Sequence, residues 1–178
     1  MHAMKGLLGA ALLASVLLAA TAALGAGAPM TSGTVQFWVT PSQTGSGGQV
    51  LITGAIADYG KSQNVTAAGK PVSKKGPYKN LMLKKGTILL DLKNYETAMN
   101  NANPTMYNRS TCSAYLTVSA PVQLLSGTGA YKGITGTVTL HAENAALLPR
   151  TKNGACNGNG NPVRSYITIS GSGTVKLG

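Results

Sequence analysis

Apolar and polar residues alternate along much of this chain. The clearest case is residues 135–142, where Val138, Leu140 and Ala142 fall on one face and His141 falls on the other among threonines. Successive side chains of a β-strand point to opposite faces of the sheet, so a period of two over this length predicts a half-buried strand. Residues 34–40 and 87–93 repeat the pattern.

The same pattern predicts seven or eight strands in all. They cover residues 34–40, 50–58, 78–83, 87–93, 112–120, 122–125, 135–142 and 163–177. A short helix is expected at residues 94–103, with Asn94 as its N-cap and Pro104 after its end. Glycine, serine, lysine and asparagine dominate residues 41–49, 59–76 and 143–162, which indicates long surface connections.

Short strands without a βαβ pattern are typical of a closed meander or a sandwich. We expect residues 29–178 to form one all-β domain, an antiparallel eight-stranded closed β-barrel. Closure removes the unpaired edges that an open sheet of this composition would expose. A chain of about 150 residues buries roughly 70% of its unfolded surface, which is enough for a core of its own.

A glycine-rich turn separates two of the apolar runs. Residues 126–136 read SGTGAYKGITG, with Gly127, Gly129, Gly133 and Gly136 around the single aromatic residue Tyr131. Glycine tolerates positive φ, so this stretch can turn sharply. We expect the ring of Tyr131 to pack on the end of the core and its hydroxyl to remain in water. The spacing is not a nucleotide-binding fingerprint, because position 132 is not glycine and no helical pattern follows.

This segment resembles the Gly-Thr-Gly-x-aromatic-x-x-(Ala/Gly)-x-x-Gly segment of the allene oxide cyclase and dirigent barrels, which have a calycin-like architecture. Small secreted bacterial proteins with a related barrel carry a similar segment. The resemblance implies an eight-stranded antiparallel barrel, in which a strand–turn–strand unit closes one end with its aromatic residue. It also implies a cyclase or isomerase activity on a small hydrophobic substrate in the lumen. No position of this chain matches the substrate-binding residues of that family.

The first 28 residues predict a secretory signal peptide. Lys5 precedes an uncharged apolar run at residues 7–23, and small residues ending at Ala26 or Ala28 form a cleavage site. The alternative is an uncleaved membrane anchor, since the run approaches spanning length. Alanine content and the lack of a following basic stop favour cleavage. We therefore expect a secreted or cell-envelope protein of bacterial origin.

The chain has two cysteines, Cys112 and Cys156. In an exported chain an even number of cysteines favours a disulfide bond. Two free or metal-binding thiols are the alternative, but the sequence has no Cys-x-x-Cys spacing and few histidines. Four scattered acidic residues do not suit a calcium site either. The sequence predicts one disulfide, no metal and no cofactor.

Basic residues dominate the charge of the chain. Fifteen lysines and arginines face four acidic residues, for a formal net charge of +11. Lys74, Lys75, Lys84 and Lys85 lie in the densest lysine cluster and are candidates for contact with phospholipid, cell-wall polymer or nucleic acid. The alternative is a solvated loop and hairpin. Lysine without arginine, and with only Tyr78 to stack, disfavours specific nucleic-acid recognition.

Catalytic residues are not assigned by the sequence. His141 is the only histidine after the leader, and there is no Gly-x-Ser-x-Gly motif. A Ser–His–Asp triad could still assemble in space, although an exposed strand position is the simpler interpretation of His141. Asp58 and Asp91 lie in different predicted strands and could converge inside a barrel; otherwise they are a strand-end charge and an exposed hairpin charge.

Three classes of function remain. The first is a secreted, non-catalytic barrel that binds a small apolar ligand or an anionic envelope partner. The second is a cyclase or isomerase that acts in the lumen, and the third is a basic surface adhesin. Barrels of eight strands are either filled by side chains or just able to hold one small ligand. A lumen with apolar walls and one or two buried polar groups would favour the ligand and cyclase hypotheses; a solid lumen would favour a structural or surface role.

Overall fold

The computed structural model describes residues 32–41 and 47–178, which form nine strands and one short α-helix. The predicted signal peptide, residues 1–28, and most of the predicted loop at 41–49 lie outside the described residues. The strands are β1 (Ser32–Thr40), β2 (Gln49–Gly54), β3 (Asp58–Val65), β4 (Tyr78–Leu83), β5 (Gly86–Asp91), β6 (Met106–Asn108), β7 (Ser113–Gly127), β8 (Thr135–Leu147) and β9 (Arg164–Lys176). Helix α1 (Lys93–Asn101) follows β5, and a 3₁₀ turn (Gly129–Tyr131) joins β7 to β8.

Eight of these strands close into an antiparallel barrel. Their order is β5-β4-β3-β2-β1-β9-β8-β7, and pairing between β5 and β7 completes the circle. The predicted all-β fold and its closure are therefore confirmed. The short strand β6 pairs with the beginning of β7 outside the circle.

Strands β7, β8 and β9 are longer than the other barrel strands and continue past the rim. Together with β6 they form a four-stranded extension, in which Tyr115 pairs with Met106 and Ala145, and Ala145 pairs with Tyr166. The extension was not predicted, because residues 143–147 were assigned to a loop. Val163, the first residue of the strand predicted at residues 163–177, lies just before β9 and is 62% exposed.

Inward positions of the barrel are mostly aliphatic. The largest side chains of the core that are fully buried are Phe37, Ile52, Ile88, Ile134, Val35, Val122, Val138 and Val175. Burial of each such side chain contributes about 1.5–3 kcal/mol relative to exposure. The alternation read from the sequence is therefore the physical basis of the barrel.

The two ends of the barrel differ. We call the end that holds the β7–β8 turn, with Asp58, Tyr131 and Ile134, the closed end. The opposite end, with Asn64 and Lys79 and with α1 and the extension beside it, is the open end. Along the paired strands β3 and β4, the pair Asn64–Lys79 lies toward the open end and the pair Gly60–Leu83 lies toward the closed end.

Strand β3 lies inside a segment that was predicted to be a surface connection. Its inward positions are Gly60, Ser62 and Asn64, so the apolar alternation that identifies a strand is missing. Strand β7 also runs through Pro121, which separates the two strands predicted at residues 112–120 and 122–125. Pro121 lies between the stretches of β7 that pair with β5 and with β6, on a side where no described strand pairs with it. Helix α1 has Leu92, not Asn94, at its N-cap position.

Cys112 and Cys156 form the predicted disulfide, 44 residues apart in the chain. Cys112 is buried directly before β7, and Cys156 belongs to the loop between β8 and β9. The bond therefore fastens that loop to the far tip of the extension. In the described part of the chain, no helix is long and apolar enough to cross a membrane.

Candidate ligand site at the open end of the barrel

The closed end is built around a buried carboxylate. The Tyr131 hydroxyl donates a hydrogen bond of 2.5 Å to Asp58, and both residues are buried. The backbone N–H groups of Tyr59, Lys85 and Lys84 also donate to this carboxylate, at 2.7, 2.9 and 3.3 Å. The Tyr131 hydroxyl was expected to remain in water. That expectation is wrong, because the hydroxyl donates to the buried carboxylate of Asp58, 73 residues away in the chain.

These contacts set the charge state of the pair. Burial disfavours the ionised form of Asp58, but the hydrogen bonds from Tyr131 and the three backbone N–H groups outweigh it and lower the pKa of Asp58. Burial raises the pKa of Tyr131, and the hydrogen bond to Asp58 and its charge raise it further. At neutral pH the pair is therefore a carboxylate held by a neutral phenol, without a proton that moves easily.

The glycines of the turn allow this packing. Gly129 and Gly133 have φ of +59° and +79°, in the left-handed region that favours glycine. A Cβ atom on Gly127 would come within 3 Å of the backbone and Cβ of Tyr131 and of the Ile134 side chain. Gly136 lies in β8, where a Cβ would press on the backbone of β9. Tyr131 and Ile134 are therefore packed tightly at this end of the lumen, where they are 4% and 0% exposed.

The open end contains a cavity of about 290 Å³. It is lined by Val39, Pro41, Gly47, Gly48, Ser62, Asn64, Lys75, Lys79, Leu81, Leu90, Leu92, Tyr95, Glu96, Ile167 and Ile169. Most of these are inward positions of β1, β3, β4, β5 and β9, so the cavity is the unfilled mouth of the lumen. Its volume lies near the lower limit of small-molecule pockets.

Lys79 is the charged side chain of this mouth that points inward from a strand. It pairs across β3 and β4 with Asn64, and its Nζ donates a hydrogen bond to Asn64 Oδ1. Asn64 itself is only 5% exposed. Burial lowers the pKa of Lys79; the nearby carboxylate of Glu96 raises it, and the charge of Lys75 lowers it again.

Helix α1 contributes the rim of the mouth. Tyr95 is buried, and burial raises the pKa of its phenol. Glu96, in the first turn of the helix, lines the cavity with it. Asp91 lies outside the lumen just before the helix, where it accepts the N–H of Lys93 at 2.9 Å and forms an ion pair of 3.5 Å with its side chain. Asp58 and Asp91 therefore do not converge.

The lysines that were grouped as one candidate surface divide between the two ends. Lys75 lines the mouth cavity, and Lys74 is exposed beside it. Lys84 and Lys85 form the β4–β5 turn at the closed end, where Lys85 Nζ donates to the Ala57 carbonyl at 3.2 Å. Strand β4 separates the two pairs by about 17 Å.

His141 lies on the outside of the barrel in a line of three polar side chains. Ser119 Oγ lies 2.7 Å from His141 Nδ1, and His141 Nε2 lies 3.5 Å from Glu143 Oε1. A triad also needs donors for the developing oxyanion. Around Ser119 the sheet pairs β7 with β8 on an exposed, convex face, so the arrangement suits the simpler interpretation of an exposed strand residue.

A second concavity of about 440 Å³ lies on the outer face of the extension. Met106, Tyr115, Leu147 and Tyr166 supply its apolar surface, and Arg164 lies at its border. It is a groove on one face of a sheet, without a buried polar group among its lining residues. We therefore place the candidate site in the lumen.

Sequence reasoning missed Asn64 and Lys79 as site residues. Asn64 fell in the segment that was assigned to a loop. Lys79 fell in the strand predicted at residues 78–83, and there a signal was available. Lys79, Leu81 and Leu83 lie on the same face of that strand, so one charged residue lies on its apolar face.

Comparison with known proteins finds no match to this chain among protein-family models, curated proteins or solved structures. Within the described ranges, no group of three or more His, Cys, Asp or Glu side chains could hold a metal ion. The mouth presents an apolar wall, the ammonium groups of Lys75 and Lys79, the amide of Asn64 and the carboxylate of Glu96 at the rim.

Proposed function

We propose that this chain is a secreted, non-catalytic binding protein that holds a small, mainly apolar ligand in the open end of its barrel. The observation that carries the proposal is the position of Lys79, whose ammonium group projects into a cavity walled by Leu81, Leu90 and Ile169. Taking about 30 Å³ for each water-sized group, the cavity has room for roughly ten non-hydrogen atoms.

The lining also indicates which end of a ligand would face Lys79. An ammonium group that is taken from water needs compensation by an opposite charge or by acceptors. Asn64 supplies one acceptor, and Glu96 supplies a carboxylate at the rim. A ligand with a carboxylate or another acceptor group would complete the environment of Lys79 while its hydrocarbon part covers the apolar wall.

Three compounds with the same apolar length test this proposal: octanoate, 1-octanol and octylamine. In titration calorimetry the affinity should be highest for octanoate, lower for 1-octanol and lowest for octylamine. A Lys79→Met variant should lose about tenfold or more in affinity for octanoate and keep its affinity for 1-octanol, because only the charge-assisted contact is removed.

A cavity-filling variant gives a second readout. Val39→Phe places a larger side chain in the mouth and should weaken all three ligands, whereas Leu147→Phe, in the outer groove of the extension, should leave them unchanged. Equal binding by wild type and Val39→Phe would reject the lumen as the site.

The alternative is a cyclase or isomerase that works in the same cavity. The resemblance of residues 126–136 to the allene oxide cyclase and dirigent segment supports it, as does the presence of an amine and a carboxylate, Lys79 and Glu96, in the lining of one cavity. Saturated chains have no double bond to move, so the test of this alternative uses an unsaturated acid of the same length, 3-octenoate. Incubation followed by chromatography and mass spectrometry separates the two functions. Conversion to an isomer of unchanged mass, lost in Lys79→Met, would support the enzyme.

A further inference from the structure

The outer wall of the barrel exposes a cluster of large apolar side chains. Trp38, Leu51, Tyr59 and Met82 are 52%, 47%, 58% and 48% exposed, and they come from four consecutive strands, β1 to β4. We call these four residues the outer-wall patch. Single exposed apolar residues are common on soluble proteins, but contiguous ones mark interaction surfaces.

The strand register makes the patch continuous. Trp38 lies directly opposite Leu51, and Leu51 lies directly opposite Tyr59. Met82 lies opposite Lys61, the next outward position of β3 after Tyr59. Because neighbouring strands are about 4.8 Å apart, the four side chains span about 15 Å of one face of the barrel wall.

The patch is bordered by positive charge. Lys61 and Lys84 project from the same outer face of β3 and of the β4–β5 turn, and Lys84 Nζ lies 5.5 Å from the centre of the Tyr59 ring. No outward position of β1–β4 in the described residues is acidic. Asp58, the one acidic residue of these strands, points into the closed end, where four donors hold it.

We propose that the outer-wall patch and its lysines dock this protein on an anionic lipid bilayer. Trp and Tyr favour the interface between hydrocarbon and water, where an apolar ring and a polar group both find partners. Leucine and methionine supply the apolar contact, and lysines next to them are attracted to anionic head groups. This combination of signals suits a bilayer better than nucleic acid, whose contacts would rely on charge and stacking along a groove.

This inference goes beyond the proposed function, because it uses the outside of β1–β4 and does not depend on the lumen. The placement also leaves the mouth cavity free, since the cavity lies inside the wall. A docked protein could therefore bind or release a ligand through its open end.

Trp38 is the only tryptophan of the chain, so its fluorescence reports on the patch alone. Vesicles of phosphatidylcholine with one third phosphatidylglycerol should shift the Trp38 emission to shorter wavelength and should sediment the protein. Pure phosphatidylcholine vesicles should do neither. Raising the salt concentration should release the protein, because lysine contacts to a charged surface are screened.

Matched variants locate the contact. Leu51→Ser with Met82→Ser, and Lys61→Gln with Lys84→Gln, should each weaken vesicle binding by about tenfold or more. The controls Leu147→Ser and Lys152→Gln each carry one apolar-to-serine or lysine-to-glutamine change elsewhere on the surface and should bind as wild type. Circular dichroism confirms that each variant is folded.

Three outcomes would overturn the proposal: an emission maximum that anionic vesicles leave unchanged, vesicle binding that survives both patch variants, or binding lost only when Lys74 and Lys75 are neutralised. The last would move the anionic contact to the open end. Octanoate binding in the lumen is expected to be unchanged in the patch variants, so failure of this proposal and failure of the proposed function are separate results.

Discussion

The two ends of the barrel each hold a charged side chain that points inward, Asp58 buried at the closed end and Lys79 half-buried at the open end, but they surround it differently. At the closed end Asp58 accepts hydrogen bonds from the Tyr131 hydroxyl and three backbone N–H groups, and the described residues leave little space around it. At the open end Lys79 donates to Asn64 beside a cavity of about 290 Å³. A carboxylate with four donors has its hydrogen-bonding capacity satisfied, whereas an ammonium group beside a cavity can still donate to a further acceptor.

This difference suggests that the charge of Asp58 serves the stability of the fold, a structural charge, and that the charge of Lys79 serves ligand binding, a binding charge. Substitution of Asp58 at the closed end should reduce stability, because the Tyr131 hydroxyl and the three backbone N–H groups would lose their acceptor. Substitution at the open end should change ligand binding and leave stability almost unaffected.

Loss of the disulfide should have the largest effect. The bond between Cys112 and Cys156 closes a loop of 44 residues at the tip of the extension. Its removal in a Cys112→Ala, Cys156→Ala double variant should lower the free energy of unfolding by about 4 kcal/mol, because the unfolded chain gains conformational freedom. Urea unfolding measures the change, and reduction of the wild type should give a similar loss. A change below about 1 kcal/mol would show that the extension is held by the sheet alone.

Asp58→Asn should have the next largest effect. The substitution removes the charge and turns an amide N–H₂ toward donors, so we expect a loss of about 3 kcal/mol in unfolding free energy. Asp91→Asn is the matched control: it lies outside the lumen in an ion pair with Lys93 and should change stability little. Equal losses in the two variants would contradict the structural role of the closed end.

The same carboxylate predicts an acid dependence. The pKa of Asp58 is lower in the folded protein than in the unfolded chain, so its stabilising contribution is present above the unfolded value near 4 and is lost as the pH falls through the folded value. The difference in unfolding free energy between wild type and Asp58→Asn should therefore shrink below about pH 4. A difference that stays constant down to pH 2 would mean that the charge does not matter.

Gly127→Ala tests the packing of the turn. An added Cβ would meet the Tyr131 backbone and the Ile134 side chain within 3 Å, so the turn must shift and the Asp58–Tyr131 contact with it. We expect a loss of about 2 kcal/mol, the usual cost of overpacking. Gly158→Ala is the control, because nothing lies within 4 Å of a Cβ at that position. Thermal unfolding compares the two variants.

The barrel could be predicted from the sequence, but the structure of its two ends could not. Alternation in β1, β5 and β8 is a local signal, and it predicted strands that the structure confirms. Strand β3 lacked that signal because its inward positions are Gly60, Ser62 and Asn64. Ser62 and Asn64 also line the mouth cavity, so the feature that hid the strand belongs to the candidate site.

The contacts of Asp58 and Lys79 could not be predicted from the sequence either, and the reason is different. Asp58 and Tyr131 are 73 residues apart, and Asn64 and Lys79 meet only because β3 and β4 pair in one particular register. A shift of one residue would turn Lys79 to the outside. Register is fixed by the closure of the whole barrel, which is a property of all eight strands together.

Lys79→Met should have the smallest effect on stability, and it is the counterpart of Asp58→Asn. Methionine fills a similar volume and needs no compensation in an apolar cavity, so we expect a change in unfolding free energy of less than about 1 kcal/mol at neutral pH. The pKa of Lys79 is lower in the folded protein than in the unfolded chain, so between those two values the unfolded chain binds more protons and wild-type stability rises with pH. That rise should be absent from Lys79→Met in alkaline urea titrations. A large loss of stability at neutral pH would show that Lys79 holds the open end together as Asp58 holds the closed one, and the distinction between a structural and a binding charge would not stand.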